Sequence, residues 1–337
     1  MGDYALRVKD LDVHYYTDAG IVKAANKVTF DLKPGERLGL VGESGSGKST
    51  LALAILRMIK PPGRIAGGEI LLGNTDLTKL SDEEMRQMRS SQISMVPQGA
   101  MNSLNPVMRV KDQIVDSMID HNLSLSKSAM EERARDALEA VELNPKVGNM
   151  YPHELSGGMK QRACIAISIA MHPQVIIADE PTSALDVVTQ RQVMQTIQRL
   201  QEQMGSAVIL IGHDMELMAQ FVNRMAVMYA GSLAELGTIQ DTFTRPLHPY
   251  TEMLIDSLPV LGKRGVFKGI PGITPLLRDL PPGCVFNTRC PKVMVVCKQR
   301  TPLLKEYGRE HWAACHLHET AAVDGEQQRS TDKVAGR

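Results

Sequence analysis

Gly42-Glu43-Ser44-Gly45-Ser46-Gly47-Lys48-Ser49-Thr50 matches the spacing G-x-x-x-x-G-K-S/T at every fixed position. Glycines so placed let the backbone curl until successive N–H groups point at one anion, and a helix starting at the lysine adds the positive end of its dipole. Lys48 can then reach the β and γ phosphates of a nucleotide, while the Ser49 hydroxyl ligates magnesium. Much later, Val175-Ile176-Ile177-Ala178 runs into Asp179-Glu180, an apolar strand delivering two carboxylates at its end. Asp179 suits magnesium and Glu180 suits polarising an attacking water. The two motifs together specify a magnesium-dependent nucleoside triphosphatase. A second chemistry is suggested by Cys284, Cys290, Cys297 and Cys315, spaced C-x5-C-x6-C-x17-C. With no C-x-x-C knuckle the usual zinc-ribbon geometry is disfavoured, and four thiolates are the complement of a 4Fe–4S cluster. Zinc, free thiols and a disulfide stay open as alternatives. His311, His316 and His318 are read as surface residues or substitute ligands, and Cys164, in an apolar helical run, as a core residue.

Certain elements must position these groups. Leu11, Val13 and Tyr15 alternate, and a second run through Val28 and Phe30 stops at Lys33-Pro34-Gly35, so antiparallel strands are expected at the amino terminus. Arg37–Gly42 reads as a buried strand running into the glycine loop, and Lys48 to about Ile59 as the helix after it. Between roughly Ser81 and His153 the chain turns polar and helical, with Met130, Ala134, Ala137, Leu138 and Val141 at helical spacing. Val175–Asp179 and Val208–Ile211 are continuous apolar runs of the kind found in parallel strands covered on both faces. Val193, Ile197, Leu200 and Met204 form the stripe of a crossover helix between them. From about Asp241 the pattern dissolves into a proline-rich stretch and the cysteine cluster, and the polar end of the chain reads as disordered.

Composition bounds the partners. The 337 residues carry 38 basic and 38 acidic side chains, a formal charge of zero, which gives no electrostatic support to nucleic-acid binding. No signal peptide or roughly 18-residue apolar span is present, so the chain is expected in the cytosol or peripheral to a membrane.

Leu155-Ser156-Gly157-Gly158-Met159-Lys160-Gln161-Arg162 resembles the signature of ATP-binding cassette (ABC) proteins. Other landmarks of that family follow in order: Tyr15, with Tyr16 beside it as a competitor, for the aromatic that stacks on adenine; Gln98 for the Q-loop; Ser183-Ala184-Leu185-Asp186 for the D-loop; His213 for the switch histidine. The family commonly has aspartate after the Q-loop glutamine, where this chain has Gly99. The resemblance implies an α/β fold: a P-loop ATPase core with a RecA-like sheet, an antiparallel β subdomain, an α-helical subdomain and a small cysteine-containing extension. Residues 1–240 would form the nucleotide-binding domain, with the helical subdomain at about 85–160, 241–318 the extension and 319–337 a disordered tail.

It also implies ATP bound by Tyr15, Gly42, Ser44, Gly45, Ser46, Gly47, Lys48, Ser49, Thr50 and Gln98, with magnesium held by Ser49, Gln98 and Asp179 and catalysis by Glu180 and His213. Ser156, Gly157, Gly158 and Gln161 would serve ATP on a second cassette, and Asp186 the D-loop. Arg245-Pro-Leu-His248-Pro249-Tyr250-Thr251, Pro271-Gly272 and Gly283-Cys284-Val-Phe286-Asn-Thr-Arg289-Cys290-Pro291 resemble the terminal extension of ATPase subunits of oligopeptide, dipeptide and nickel importers. Some members of that group resemble this cysteine arrangement with a 4Fe–4S cluster. Implied partners are a second, paralogous ATPase, two membrane-spanning permease subunits and an extracytoplasmic binding protein, with the chain on the cytoplasmic membrane face. Nickel or oligosaccharide cargo stays open, as does a soluble cassette module unrelated to transport.

Overall fold

The computed structural model describes residues 4–99, 103–121, 123–183, 185–258 and 269–319. In chain order the described strands are β1 (Leu6–Thr17), β2 (Gly20–Leu32), β3 (Arg37–Val41), β4 (Gly63–Leu72), β5 (Thr75–Asp76), β6 (Ile93–Val96), β7 (Val175–Asp179), β8 (Ala207–Ile211), β9 (Arg224–Tyr229), β10 (Ser232–Thr238), β11 (Lys305–Gly308) and β12 (His311–Ala313). The helices are α1 (Lys48–Ile55), α2 (Asp82–Met88), α3 (Val110–Asp120), α4 (Lys127–Ala140), α5 (Gly157–Ile169), α6 (Val187–Met204), α7 (Met215–Ala219), α8 (Ile239–Thr244) and α9 (Pro249–Asp256).

Two sheets carry the fold: an antiparallel one of order β2-β1-β4-β5 and a mixed eight-stranded one of order β11-β12-β10-β9-β3-β8-β7-β6. Strands β9, β3, β8, β7 and β6 are mutually parallel. Every residue of β7 and β8 is buried, as a strand covered on both faces demands. The α6 stripe behaves as the spacing requires, with Val193, Ile197 and Leu200 buried beneath the crossover helix.

The amino-terminal strands pair antiparallel, but not with simple alternation. Leu6, Val8, Leu11 and Val13 are buried, and the register shifts between Val8 and Leu11. Asp10 takes a left-handed φ of 46°, and a β-carbon on neighbouring Gly68 would come within 2.5 Å of the Asp10 carbonyl. The extra residue of a bulge thus restores the buried face after a break in period two.

Three expectations change. Helix α1 stops at Ile55 rather than near Ile59, because Arg57 turns left-handed (φ 50°) and the chain leaves the helix. The stretch between Ser81 and His153 is not purely helical: Ile93–Val96 forms β6 and pairs parallel with β7. Four residues are too few for periodicity to separate a strand from its helical surroundings. The helical part is real, and Met130, Ala134, Ala137, Leu138 and Val141 are all buried against α3 and α5. The extension is also not merely appended. β12 pairs with β10 and β11 with β12, so the main sheet continues into the last described fifty residues. Such short edge strands leave little periodic signal. Glu319 is the last described residue, so the tail expected to be disordered lies outside the described residues.

Among the described residues, no helix is long and apolar enough to cross a membrane.

Candidate active site

Parallel strands present all their carboxyl ends at one edge of the sheet, where loops can converge on a ligand. Four adjacent strands do so here. β3 leads into the glycine loop, β6 into Gln98, β7 ends in Asp179 and is followed by Glu180, and β8 leads to His213.

The loop from Gly42 to Gly47 is packed tightly. Gly42 (φ 145°) and Gly47 (φ 102°) have conformations that side chains rarely adopt. A β-carbon would lie 2.1 Å from the Met228 carbonyl at Gly42 and 2.1 Å from the Ala24 carbonyl at Gly47. The Gly231 N–H, in the turn between β9 and β10, donates to the Ser46 carbonyl at 2.9 Å. Gly45 is left-handed in open space, and Ser44 lies beside it on the exposed crest. Gly47 caps α1, and Lys48, Ser49 and Thr50 form its first turn.

Lys48 is 7% exposed, and its Nζ donates to the carbonyls of Gly42 (2.8 Å) and Glu43 (2.9 Å) and to Ser46 Oγ (3.3 Å). Burial lowers its pKa, although Glu180, Asp179 and Glu43 pull in the other direction. Ser49 Oγ donates to Asp179 Oδ1 at 3.2 Å. Burial, reinforced by the neighbouring Glu180 charge, raises the Asp179 pKa despite that hydrogen bond. These two oxygen donors fit magnesium, a hard cation that takes carboxylate and hydroxyl ligands and whose charge would relieve the crowded carboxylates. Gln98 Nε2 donates to Glu180 Oε2 at 2.8 Å, and His213 Nδ1 stands 3.7 Å from Glu180 Oε1. Glu180 itself has φ 44°, left-handed for a residue with a side chain, of the sort that concentrates at functional sites.

The other expected site residues lie on different elements. Tyr15 is on the antiparallel sheet, half-buried, its ring so close to Gly63 that a β-carbon there would meet Cε1 at 2.6 Å. Tyr16 is more exposed and stacks under Arg64, whose guanidinium carbon is 4.1 Å from the ring centre. Ser156 caps α5, accepting from the Met159 N–H, with Gly157 and Gly158 in the first turn. Gly158 permits a close approach to α6, since a β-carbon would sit 2.8 Å from Thr189 Cγ2. Asp186 caps α6 by accepting from the Val188 and Thr189 N–H groups and the Thr189 hydroxyl, and that hydroxyl chiefly holds its pKa low. Gln161 differs from Ser156: it is 3% exposed and its Nε2 is buried with no hydrogen-bond partner, so it does not share the open helix terminus. Gly99 takes φ 66°, a conformation in which aspartate would be strained.

Cys164 is buried, which pushes its pKa up to about 12. Cys284, Cys297 and Cys315 are buried and Cys290 is half-buried. The Cys284 N–H donates to the Cys297 carbonyl at 2.8 Å. Burial drives Cys284 up to about 11 and Cys315 up to about 12 and raises Cys290, and neighbouring cysteines push these three further in the same direction. Neither the zinc nor the iron–sulfur expectation finds a ready-made ion site: among the described residues, no group of three or more His, Cys, Asp or Glu could hold a metal ion. The histidines read as surface residues or substitute ligands correct in the same direction. His311 and His316 are buried, at 5% and 2% exposure. His311 Nε2 pairs with Glu235 at 2.7 Å, while His316 joins Glu319 and the Arg300 carbonyl, and His318 meets the Leu247 carbonyl. His311 thus ties the extension to β10, and His316 and His318 tie its later segments to earlier ones. A sequence pattern does not reveal which polar side chains find partners on folding.

Sequence reasoning missed Arg289 and Glu43. Arg289, from the extension, forms a two-pronged ion pair with Glu43 in the glycine loop. An acid at a variable position of the loop, together with an arginine between Phe286 and Cys290, was the available signal.

The ABC transporter family matches residues 25–183, and the oligopeptide/dipeptide transporter C-terminal region matches residues 234–297. The oligopeptide transport ATP-binding protein OppD of Escherichia coli is 41% identical over 316 residues, covering 93% of this chain and 93% of that protein. The dipeptide transport ATP-binding protein DppD of Bacillus subtilis is 41% identical over 322 residues, covering 94% and 96%. A solved dimeric ATP-binding cassette in a post-hydrolysis state, bound to ADP and Pi, has a TM-score of 0.63 at 30% identity, covering 69% of this chain and 98% of that one. With the phosphate loop, the two carboxylates and the extension each in place, this chain belongs to the family of ABC transporter ATP-binding proteins that carry the oligopeptide/dipeptide C-terminal region.

Proposed function

We propose that this chain is the ATP-hydrolysing subunit of a peptide-importing ABC transporter, peripheral to the cytoplasmic face of the membrane. The observation that carries the reading is the convergence of Lys48, Ser49, Gln98, Asp179, Glu180 and His213 at one sheet edge in a chain with the oligopeptide/dipeptide extension. Residues 1–240 act as the nucleotide-binding domain, about 85–160 as its helical lobe, and 241–318 as the extension.

The glycine-loop N–H groups and Lys48 hold the ATP phosphates, and Tyr15 stacks on adenine. Magnesium, held by Ser49 and Asp179 with Gln98 beside them, would neutralise charge on the phosphates. Glu180 takes the proton of the attacking water. Gln98 donates to Oε2 and so orients the carboxylate, leaving Oε1 to accept that proton; His213, on the same side, senses the γ phosphate. Ser156 and the N–H groups of Gly157 and Gly158 form an anion-binding helix start that serves ATP on a second cassette, and Asp186 holds the adjoining helix in register. The protein therefore works as a pair of cassettes, the partner being a paralogue, beneath two permease subunits fed by an extracytoplasmic binding protein.

The assembled complex in vesicles, given its binding protein, should show ATPase activity and uptake stimulated by oligopeptides or dipeptides. Stimulation by nickel or oligosaccharides alone would replace the cargo. Cargo-independent ATPase in a chain that copurifies with no membrane subunit would favour the soluble-module alternative.

A finer reading concerns the four cysteines. Their burial and mutual proximity are what support a shared four-thiolate iron–sulfur site. Cys284, Cys290, Cys297 and Cys315 would hold it, and it would cross-link the extension. Protein purified without oxygen should be brown, with about four iron and four sulfide per chain. Colourless protein containing stoichiometric zinc, or no metal at all, overturns it.

A further inference from the structure

Nothing in the phosphate-loop pattern requires an acid at its second position, yet Glu43 is the most heavily engaged residue of the loop. Arg289 Nη1 donates to Glu43 Oε2 at 2.8 Å and Nη2 to Oε1 at 2.9 Å, the parallel fork in which arginine binds carboxylate best. The Thr274 hydroxyl donates to the same carboxylate, and the Glu43 N–H donates to the Tyr250 hydroxyl at 2.9 Å. Three residues of the extension thus grip one residue of the loop. The grip is rigid on the far side. The Arg289 side chain is 4% exposed, its Nε donates to the Pro271 carbonyl at 2.9 Å, and Nη1 reaches Tyr229 Oη at 3.2 Å. Tyr229, Tyr250 and Phe286 pack ring against ring beneath it. On the near side the Glu43 carbonyl accepts from Lys48 Nζ, so a short covalent and hydrogen-bonded path runs from Arg289 to the phosphate-binding lysine.

The electrostatics give the contact a purpose. A carboxylate inside a loop built for anions repels phosphate unless it is neutralised and turned away, and a buried charge that loses its partner is costly. We propose that Arg289 is a positioning residue for ATP: through Glu43, the C-terminal extension clamps the phosphate loop in its anion-binding shape and cancels the one negative charge within it. This rests on the reading above that the loop binds ATP. Burial by itself would raise the Glu43 pKa, but the hydrogen bonds from Arg289 and Thr274 outweigh it and hold the carboxyl below its ordinary range, so the pair is ionised at neutral pH.

The test is steady-state ATPase kinetics of the assembled complex. R289M should raise the KM for ATP by about 10- to 100-fold, the loss of one charge-assisted hydrogen-bonded pair, with kcat changed by less than about threefold. R289K keeps the charge but not the fork, and should raise KM by about 3- to 10-fold in a chain whose packing is least disturbed. In the E43Q background the effect of R289M should shrink to less than about threefold, because no unpaired carboxylate remains. A purely structural role would move KM equally in both backgrounds and would not be relieved by E43Q. That result, or a KM for R289M and R289K within about twofold of wild type, overturns the clamp while ATPase function stands. A wild-type complex that hydrolyses no ATP overturns both readings.

Discussion

Glu180→Gln should reduce the ATP turnover of the assembled transporter by about 10²- to 10⁴-fold while leaving ATP bound, the range expected when a general base is removed. Three constraints that do not depend on one another hold Glu180 where the proposed role needs it. The buried strand β7 ends at the preceding residue, the backbone is held at φ 44° with its N–H donating to the Ile211 carbonyl, and Gln98 pins Oε2. Glutamine has nearly the same shape but no basic oxygen, so binding and packing survive while proton removal does not. Phosphate release and retained nucleotide should be measured on the same preparation. Turnover within about fivefold of wild type would remove Glu180 from the base role and shift attention to His213.

Lys48→Met should act at the other step, weakening ATP binding by at least about 100-fold by equilibrium titration with a fluorescent ATP analogue. Lys48 is the buried cation among Glu43, Asp179 and Glu180, all of which favour its charged form. Removing it leaves carboxylates facing a polyanion in a low-dielectric site, where repulsion is strongest. It also leaves the Gly42 carbonyl without its Lys48 donor and the Glu43 carbonyl with only the Ser46 N–H, so the loop loses shape as well as charge. The two variants separate the roles: Glu180→Gln binds and stalls, whereas Lys48→Met does not bind. If Lys48→Met kept wild-type affinity, backbone N–H groups alone would account for phosphate binding.

The parts legible in the sequence were those with strong local rules. Gly42 to Thr50 was legible because only glycine tolerates the approaches to Ala24 and Met228, and β7 and β8 because strands buried on both faces are continuously apolar. The α6 stripe was legible for the same reason, since one face of an 18-residue helix must be buried. What was misjudged was short or polar. β6 has four residues and β12 three, too few to establish a period. His311 and His316 looked exposed because polar side chains usually are, until Glu235, Glu319 and the Arg300 carbonyl supply partners.

By itself, then, the sequence determined the phosphate loop, the carboxylate pair, the order of the cassette landmarks and the kind of extension that follows them, because each is written in residue types at close spacing. Only the tertiary structure decided which distant residues meet. Gln98 reaches Glu180 across 82 positions, Ser49 reaches Asp179 across 130, and Arg289 reaches Glu43 across 246. Such contacts exist because parallel strands bring remote segments to one edge and because the extension folds back against the loop. Those are properties of topology, and no local pattern along the chain encodes them.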